Sequence, residues 1–177
     1  MRALVEDMLS LARLDEGQPQ LHTPVDLMQL AEETAFELSG SYPSRTVVVE
    51  GERVVISADE TQCRQILLNL VSNALAYTAG AVRVDVTSGE GSAQVTVDDD
   101  GPGLTAEQTE RMFDRFWRAD GARGRAGTGL GLAIVKGFAE SHGGTVVVSS
   151  DPTRGTRVTV MLPLDGQETG KIPAGTR

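Results

Sequence analysis

Cysteine and long apolar runs are scarce in this sequence, and each shortage excludes a class of protein. The single cysteine, Cys63, has no second cysteine with which to form an internal disulfide, so a reducing cytoplasm is the natural setting. It lies in an apolar helical stretch, where we expect a buried thiol. No run approaches the roughly 18 consecutive apolar residues that span a bilayer. Acids within the apolar pattern of residues 1–17 also exclude a signal peptide.

Basic residues are fewer than acidic ones, 16 against 25, which gives a net charge of −9 and argues against a general nucleic-acid binder. Five arginines are nevertheless concentrated in residues 111–125, beside two acids. Such a cationic segment in an acidic protein suits a small polyanion, for example a nucleotide phosphate, and a solvated loop with scattered charge is the alternative. Because 40% of the residues are hydrophobic, the chain is expected to fold around a core.

Helical periodicity and strand alternation together predict an α+β protein. We predict helices at residues 1–16, from Thr23 and Pro24 to about Ser39, from the N-cap Asp59 to about Tyr77, near residues 106–113, and from about Gly129 to His142. We predict β-structure at residues 45–56 around a turn at Gly51, a hairpin that joins residues 82–86 to 93–97, and a last hairpin that joins residues 145–149 to 157–162. The predicted fold class is a two-layer α/β sandwich, with a mixed, mostly antiparallel sheet and three helices on one face.

The helix predicted at residues 59–77 carries two asparagines, Asn69 and Asn73, which are four residues apart and therefore on one face. Asparagine is a poor residue for a helix interior, so two asparagines on one face of a helix indicate a function other than helix stability. Their carboxamide oxygens are hard ligands suited to Mg²⁺, which binds a few protein oxygens together with phosphates and waters. The alternative is that both side chains simply face solvent.

An acidic turn with two glycines follows the strand predicted at residues 93–97. Asp99, Gly101 and Gly103 stand at the end of this strand, where the glycines allow the backbone to approach a ligand closely. A carboxylate in this position can accept a hydrogen bond from an exocyclic amine such as that of adenine. The spacing of the acids does not match an EF-hand calcium loop, and an ordinary acidic turn is the alternative.

Glycines also recur between Gly124 and Gly131 and lead directly into a helix. Free backbone N–H groups and the helix dipole form a phosphate cradle at such a position. No Gly-Lys-Ser/Thr follows, as a Walker loop requires, and no strand precedes, as a dinucleotide fingerprint requires. The segment 100–127 is too long for an ordinary connection, and glycine clusters at both of its ends favour a lid. We refer to residues 100–127 as the lid segment.

The order of these motifs resembles the histidine-kinase branch of the ATPase superfamily shared by gyrase, heat-shock chaperones, histidine kinases and mismatch-repair proteins. The resemblance extends over residues 59–163 and implies a Bergerat-type ATP-binding fold. The matching segments are an N-box at residues 69–77, a first glycine box at 99–103, a phenylalanine box at 113–116, a second glycine box at 127–131, and a final turn at Gly155 and Thr156.

The resemblance implies roles for individual residues and the cofactors ATP and Mg²⁺. Asn73, with Asn69 beside it, would hold a Mg²⁺ that bridges the phosphates of ATP, and Arg115 would reach those phosphates and complete the catalytic set. Tyr77 would pack against the adenine, and Asp99 would accept a hydrogen bond from its amine. The other implied nucleotide contacts are Gly101, Gly103, Phe116, Arg118, Gly127, Gly129, Leu130, Gly131, Leu132 and Thr156.

The sequence departs from the family at Ala76, where a basic residue usually precedes the tyrosine, so that phosphate contact is absent or supplied by an arginine of the lid segment. Residues 1–20 resemble the end of a dimerisation hairpin with its linker, 21–164 form the expected catalytic domain, and 165–177 form an expected disordered tail. The hairpin helix with the phosphoacceptor histidine is missing from the sequence. His22 lacks the acidic neighbour of that histidine, and His142 is predicted to end a helix.

The reaction implied by the resemblance transfers the γ-phosphoryl of ATP to a histidine of the hairpin and then to an aspartate in the receiver domain of a response regulator. The parent is expected to be a homodimer anchored in the bacterial inner membrane, with this part in the cytoplasm, and the isolated chain is expected to bind Mg-ATP without phosphorylating itself. The alternatives are a clamp-type ATPase, which needs a glutamate where Gln62 or Gln65 stands, a nucleotide-binding module without kinase activity, and an anti-sigma serine kinase.

Overall fold

Helices and strands alternate along the chain, and the computed structural model describes them for residues 2–17, 20–78, 80–119 and 127–164. In chain order these elements are α1 (Arg2–Asp15), β1 (Thr23–Asp26), α2 (Leu27–Ser39), β2 (Val47–Gly51), β3 (Val55–Ala58), α3 (Glu60–Tyr77), β4 (Val82–Gly89), β5 (Ser92–Asp99), α4 (Ala106–Arg111), α5 (Gly131–Ser141), β6 (Thr145–Asp151) and β7 (Gly155–Pro163).

A five-stranded sheet with the order β2-β4-β5-β7-β6 forms the centre of the fold. Strands β2 and β4 are parallel, and the other neighbours are antiparallel. Alternate residues of β4, β5 and β7 are buried beneath α2, α3 and α5, which supply most of the remaining core. Because alternate side chains of a strand point to opposite faces, the helices cover one face only. The predicted mixed, mostly antiparallel sandwich is confirmed.

Helix α3 begins and ends where local signals in the sequence predict. The Asp59 side chain caps it by accepting from the Gln62 N–H at 3.1 Å. One side of the helix is buried in the core, including Ile66, Leu70 and Ala74, and the opposite side carries polar residues. Burial of this apolar stripe fixes the rotation of α3 about its axis and thereby the direction in which its asparagines point.

The prediction that Thr23 and Pro24 begin a helix is wrong, because these residues belong to strand β1. Pro24 lies opposite Ser57 in a two-stranded antiparallel sheet of β1 and β3. Proline has no N–H to donate, and a short edge strand tolerates this loss as well as a helical first turn does. The helix starts three residues later, where the side chain of Asp26 accepts from the Gln29 N–H at 3.2 Å.

The prediction of β-structure at residues 45–56 is confirmed by strands β2 and β3, but the predicted turn at Gly51 is wrong, because Gly51 is the last residue of β2 and lies opposite Val86. Strand β2 belongs to the five-stranded sheet, whereas β3 pairs with β1 in the small sheet. Gly51 has φ +117°, and a Cβ there would lie 2.0 Å from the carbonyl oxygen of Val86. A glycine is therefore needed at position 51 because the backbones of β2 and β4 approach each other closely there, and not because the chain turns.

Helix α1 packs against α5 at Gly137, a residue of α5 that has no side chain. Leu11 is buried, and a Cβ on Gly137 would lie 2.7 Å from the Cδ1 atom of Leu14. Gly137 therefore allows the two helices to approach closely. The first half of α1 exposes Leu4, Val5, Met8 and Leu9 by 38 to 56%. Within the described ranges, no helix is long and apolar enough to cross a membrane.

Parts of three predictions lie outside the described residues. The lid segment contains α4 and the residues up to 119, but residues 120–126 are not described. The expected disordered tail at residues 165–177 is likewise outside the described residues. The predicted boundary near residue 20 falls next to residues 18 and 19, which are also not described. The division of the chain into three parts therefore stays a prediction.

His142 joins the end of α5 to the start of α3. Its Nδ1 atom is 2.7 Å from the carbonyl oxygen of Phe138, and its Nε2 atom is 3.1 Å from the backbone N of Asp59. A neutral imidazole satisfies both contacts, since one nitrogen donates to the carbonyl and the other accepts from the N–H. Burial of the ring lowers the pKa of His142, although the Phe138 carbonyl acts in the opposite direction.

This arrangement predicts a loss of stability when the pH falls below the ordinary pKa of histidine. Because the folded-state pKa of His142 is lowered, the unfolded chain binds the proton first, and the stabilisation present at neutral pH decreases on acidification. The expected slope is at most about 1.4 kcal/mol per pH unit for one proton. Urea unfolding of the parent and of His142→Gln between pH 7.5 and 5.5 checks this, and superimposable pH profiles would contradict it.

Candidate functional site

Helix α3 carries the residues of the predicted N-box toward two regions, the start of α5 and the end of β5. Asn69, Asn73 and Tyr77 follow one another at four-residue intervals, so they lie along one side of the helix with steps of about 6 Å. Asn69 reaches α5, whereas the backbone of Tyr77 lies beside Gly101. Asn73 stands between them. The structure therefore brings the N-box to both predicted glycine boxes.

Asn69 connects α3 to the first residue of α5. Its Nδ2 atom donates to the carbonyl oxygen of Gly131 at 3.2 Å. Gln65, one turn earlier on α3, donates from Nε2 to the Asn69 Oδ1 atom at 3.3 Å. A Cβ on Gly131 would lie 3.4 Å from the Asn69 carboxamide, which places the backbone of α5 within van der Waals contact of this side chain.

Asn73 is the second carboxamide of the site. It is partly buried and forms no hydrogen bond within the part of the chain that the structure describes. Its oxygen is therefore available to a cation. Over the same residues, no three or more His, Cys, Asp and Glu side chains are grouped so as to hold a metal ion. A Mg²⁺ at this site would accordingly depend on carboxamide oxygens together with nucleotide phosphates and waters.

The N-cap residue of α5 is the buried, apolar Leu130, whose side chain has no oxygen with which to cap the first turn. The first-turn N–H groups of a helix have no partner within the helix, and the positive end of its dipole favours an anion there. Gly129 precedes this end at φ +73°, and its carbonyl accepts from the Phe116 N–H at 2.9 Å. The phenylalanine box therefore lies against a helix end that suits a phosphate.

Asp99 forms the second region together with Gly101, Tyr77 and Thr156. Its Oδ1 atom accepts from the Gly101 N–H at 2.8 Å, and Thr156 is its partner across strand β7. A Cβ on Gly101 would lie 2.6 Å from that Oδ1 atom and 3.3 Å from the Tyr77 carbonyl oxygen. Burial raises the pKa of Asp99, although the N–H groups of Gly101 and Thr156 lower it. The second carboxylate oxygen can accept from a ligand amine.

Arg115 is bound to α1 in this structure. Its two terminal nitrogens donate to both oxygens of Asp15 at 3.0 and 2.7 Å, and this bidentate contact lowers the pKa of Asp15. Thr128, just after the lid segment, donates from Oγ1 to Asp7 at 2.6 Å and accepts from the Leu130 N–H at 3.2 Å. Helix α1 thus contacts both flanks of residues 120–126. A phosphate contact by Arg115 stays a prediction.

The remaining predicted site residues lie around these two regions. Gly103 has φ +64°, and a Cβ there would be 2.0 Å from the carbonyl oxygen of Asp151, so it packs against the turn between β6 and β7. Phe116 is 60% exposed, Gly127 is exposed, and Arg118 and Leu132 are partly buried. Their contacts with a nucleotide stay predictions.

Several contacts around the site were not part of the sequence prediction. Gln65 stands four residues before Asn69, and Thr128 stands next to Gly129, so helical spacing and loop position could have identified both. Asp7 and Asp15 are at least 100 positions from their partners. No local signal in the sequence relates them to the lid segment.

Comparison with known proteins identifies the same part of the chain. Residues 58–166 match the family described as "Histidine kinase-, DNA gyrase B-, and HSP90-like ATPase". The probable sensor histidine kinase TcrY of Mycobacterium tuberculosis is 39% identical over 169 residues, which cover 92% of this chain and 35% of that protein. The chain spans about a third of the length of the curated relatives it matches.

Solved structures show the same fold. Full-length ShkA in complex with AMPPNP is similar with a TM-score of 0.82 and 32% identity, over 91% of this chain and 35% of that one. The catalytic domain of histidine kinase ThkA is similar with a TM-score of 0.73 and 25% identity, over 82% of this chain and 97% of that one. The chain therefore belongs to the histidine kinase-, DNA gyrase B- and HSP90-like ATPase family, as the ATP-binding catalytic domain of a sensor histidine kinase.

Proposed function

We propose that the chain binds Mg-ATP and presents its γ-phosphoryl to a histidine on the dimerisation hairpin of a homodimeric, membrane-anchored parent kinase, for relay to a response-regulator aspartate. The observation that carries this proposal is the meeting of α3 with the uncapped start of α5, where Asn69 bonds to Gly131. One relative of similar structure was solved with the ATP analogue AMPPNP, which supports the same class of ligand here.

The residues present fit ATP and Mg²⁺ at both regions of the site. The N–H groups at the start of α5 would bind the phosphates, and the Asn73 oxygen would hold the metal. Asp99 would accept from the adenine amine, and Gly101 would leave room for the base. When bound, Mg-ATP supplies the phosphoryl group and a metal that neutralises phosphate charge. The contribution of this chain is then positioning, together with exclusion of water by the lid segment.

Two of the three alternative functions, the clamp-type ATPase and the module without kinase activity, are less well supported by the residues of α3. A clamp-type ATPase needs a carboxylate to activate water, but Gln62 and Gln65 are amides. Gln62 accepts hydrogen bonds from Gln20 and Ser141, and Gln65 is bonded to Asn69. A nucleotide-binding module without kinase activity is favoured only by Ala76, where the family usually has a basic residue.

Calorimetry with Asn73→Ala tests the nucleotide site. We expect the parent chain to bind Mg-ATP and Asn73→Ala to bind it about tenfold or more weakly, because a metal ligand is lost. In EDTA the two chains should bind ATP equally. Ser72→Ala is the matched control, since Ser72 is also partly buried but, among the residues that the structure describes, its hydroxyl bonds only to the Asn69 backbone carbonyl of its own helix. Absence of binding by the parent would contradict the proposal.

Phosphoryl transfer is tested separately with labelled ATP. We expect no label on the chain alone, because His22 lacks the acidic neighbour of the family's phosphoacceptor and both ring nitrogens of His142 are hydrogen-bonded at the end of α5. Label should appear when a histidine-bearing hairpin domain of a related kinase is added. Strong labelling of the chain alone, or steady ATP hydrolysis without a hairpin, would contradict the proposed function.

A further inference from the structure

We propose that Gln65 is a positioning residue of the nucleotide site, which orients Asn69 so that Asn69 anchors the phosphate-binding start of α5, leaving Asn73 as the carboxamide that binds the metal. The proposal rests on the proposed function and divides the roles of the two asparagines. It concerns a chain of hydrogen bonds from Gln65 through Asn69 to the carbonyl of Gly131.

The chemistry of the Gly131 carbonyl fixes the direction of this chain. A carbonyl oxygen can only accept, so the atom of Asn69 that lies 3.2 Å from it must be the NH₂ group. The Asn69 oxygen then points the opposite way, to the Nε2 atom of Gln65 at 3.3 Å. Each group in the series donates to the next. Both ends of the Asn69 carboxamide are therefore engaged by protein.

The Asn73 carboxamide is in a different situation. It lies one turn further along α3, is partly buried, and forms no hydrogen bond in the part of the chain that the structure describes. An oxygen without a donor binds a hard cation at no loss of an existing bond, whereas the Asn69 oxygen would first compete with Gln65. The geometry therefore assigns the metal to Asn73.

The Asn69 contact acts on the part of α5 that suits a phosphate. Gly131 is the first helical residue of α5, directly after the uncapped Leu130, and no side chain of its own can fix its position. A bond from Asn69 to its carbonyl holds the first turn, and hence the direction of its N–H groups, relative to α3. A reversed Asn69 would direct its oxygen at the Gly131 carbonyl and its NH₂ group at the Nε2 atom of Gln65, so the two contacts together hold the carboxamide in one orientation.

Isosteric substitution of two glutamines on α3 tests the role of Gln65. Gln65 acts as a donor, so Gln65→Glu removes its hydrogen bond, whereas Gln62 acts as an acceptor, so Gln62→Glu keeps its own. We expect Gln65→Glu to bind ATP about fivefold more weakly in both Mg²⁺ and EDTA and Gln62→Glu to bind normally. Gln65→Leu, which adds no charge, should match Gln65→Glu. Normal binding by Gln65→Leu would overturn the proposal.

Asn69→Asp distinguishes anchoring from metal binding. A carboxylate keeps or strengthens a metal ligand but repels the Gly131 carbonyl, so we expect ATP affinity to fall about tenfold in Mg²⁺ and in EDTA alike. Asn73→Ala should lose affinity only in Mg²⁺. If Asn69→Asp retains its affinity, or loses it only when Mg²⁺ is present, Asn69 is a metal ligand and the inference is wrong. Failure of the parent to bind ATP would instead refute the proposed function itself.

Discussion

Replacement of Asp99 by asparagine is expected to weaken ATP binding about 100-fold, the largest effect of any isosteric change in the site. The Gly101 N–H can only donate, so the asparagine oxygen must stay at the position of Oδ1, 2.8 Å from it. Its NH₂ group then replaces the carboxylate oxygen that would accept from the adenine amine. Two donors face each other, and the lost hydrogen bond and the unpaired groups together cost about 2.7 kcal/mol.

A base with the opposite hydrogen-bond pattern provides the sharpest measurement. Inosine triphosphate carries a carbonyl oxygen in place of the adenine amine, so Asp99→Asn should bind it better than the parent does, and the ratio of the two affinities should reverse. Asp98→Asn is the matched control, because this substitution removes the same charge one residue earlier. The Asp98 side chain is paired with Arg157 and not with Gly101. An unchanged preference for ATP over inosine triphosphate in Asp99→Asn would show that Asp99 does not accept a hydrogen bond from the adenine amine.

Gly155→Ala is expected to have the largest effect on stability. Gly155 has φ +87°, and a Cβ there would lie 1.9 Å from the carbonyl oxygen of Asp99, so β7 would have to move away from β5. Left-handed backbone costs an alanine about 1 kcal/mol, and overpacking against rigid backbone adds up to about 3 kcal/mol. We expect unfolding to become easier by about 4 kcal/mol.

Gly91→Ala is a matched control for the backbone contribution alone. Gly91 has φ +79°, but a Cβ there would meet no atom within 4 Å. We therefore expect Gly91→Ala to lose only about 1 kcal/mol in urea unfolding. The difference between the unfolding free energies of Gly155→Ala and Gly91→Ala measures the cost of the steric contact with Asp99. Equal losses would mean that strand β7 can shift without cost.

The parts of the fold that local chemistry determines were predictable from the sequence. Asp59 is a strong N-cap followed by a helical apolar stripe, and the structure confirms both. The hairpin of β4 and β5 follows from strict alternation on each side of a glycine-containing turn. The motifs at Asn69 and Gly131 are recognisable one by one in the sequence, and the structure adds their hydrogen bond of 3.2 Å, which α3 and α5 make by packing on the same sheet face.

Partners distant in sequence could not be predicted. The sequence around Pro24 is typical of a helix start, yet Pro24 belongs to a strand and lies opposite Ser57, which is 33 positions away in the sequence. Strands β2 and β3 follow each other closely but join different sheets, because each finds a better partner elsewhere. The bonds of Asp7 and Asp15 depend on how α1 lies on α5, and a helix periodicity does not contain that information.

The contacts of α1 would couple the nucleotide site to a partner that binds the exposed apolar residues of this helix. Asp7 and Asp15 bond to Thr128 and Arg115, one on each side of residues 120–126, while Leu4, Val5 and Met8 are exposed on the same helix. A partner that turns α1 would release both flanks together, since a helix of about 21 Å rotates as one body. By reciprocity, a nucleotide that draws the flanks away from α1 changes the affinity of α1 for that partner by the same factor.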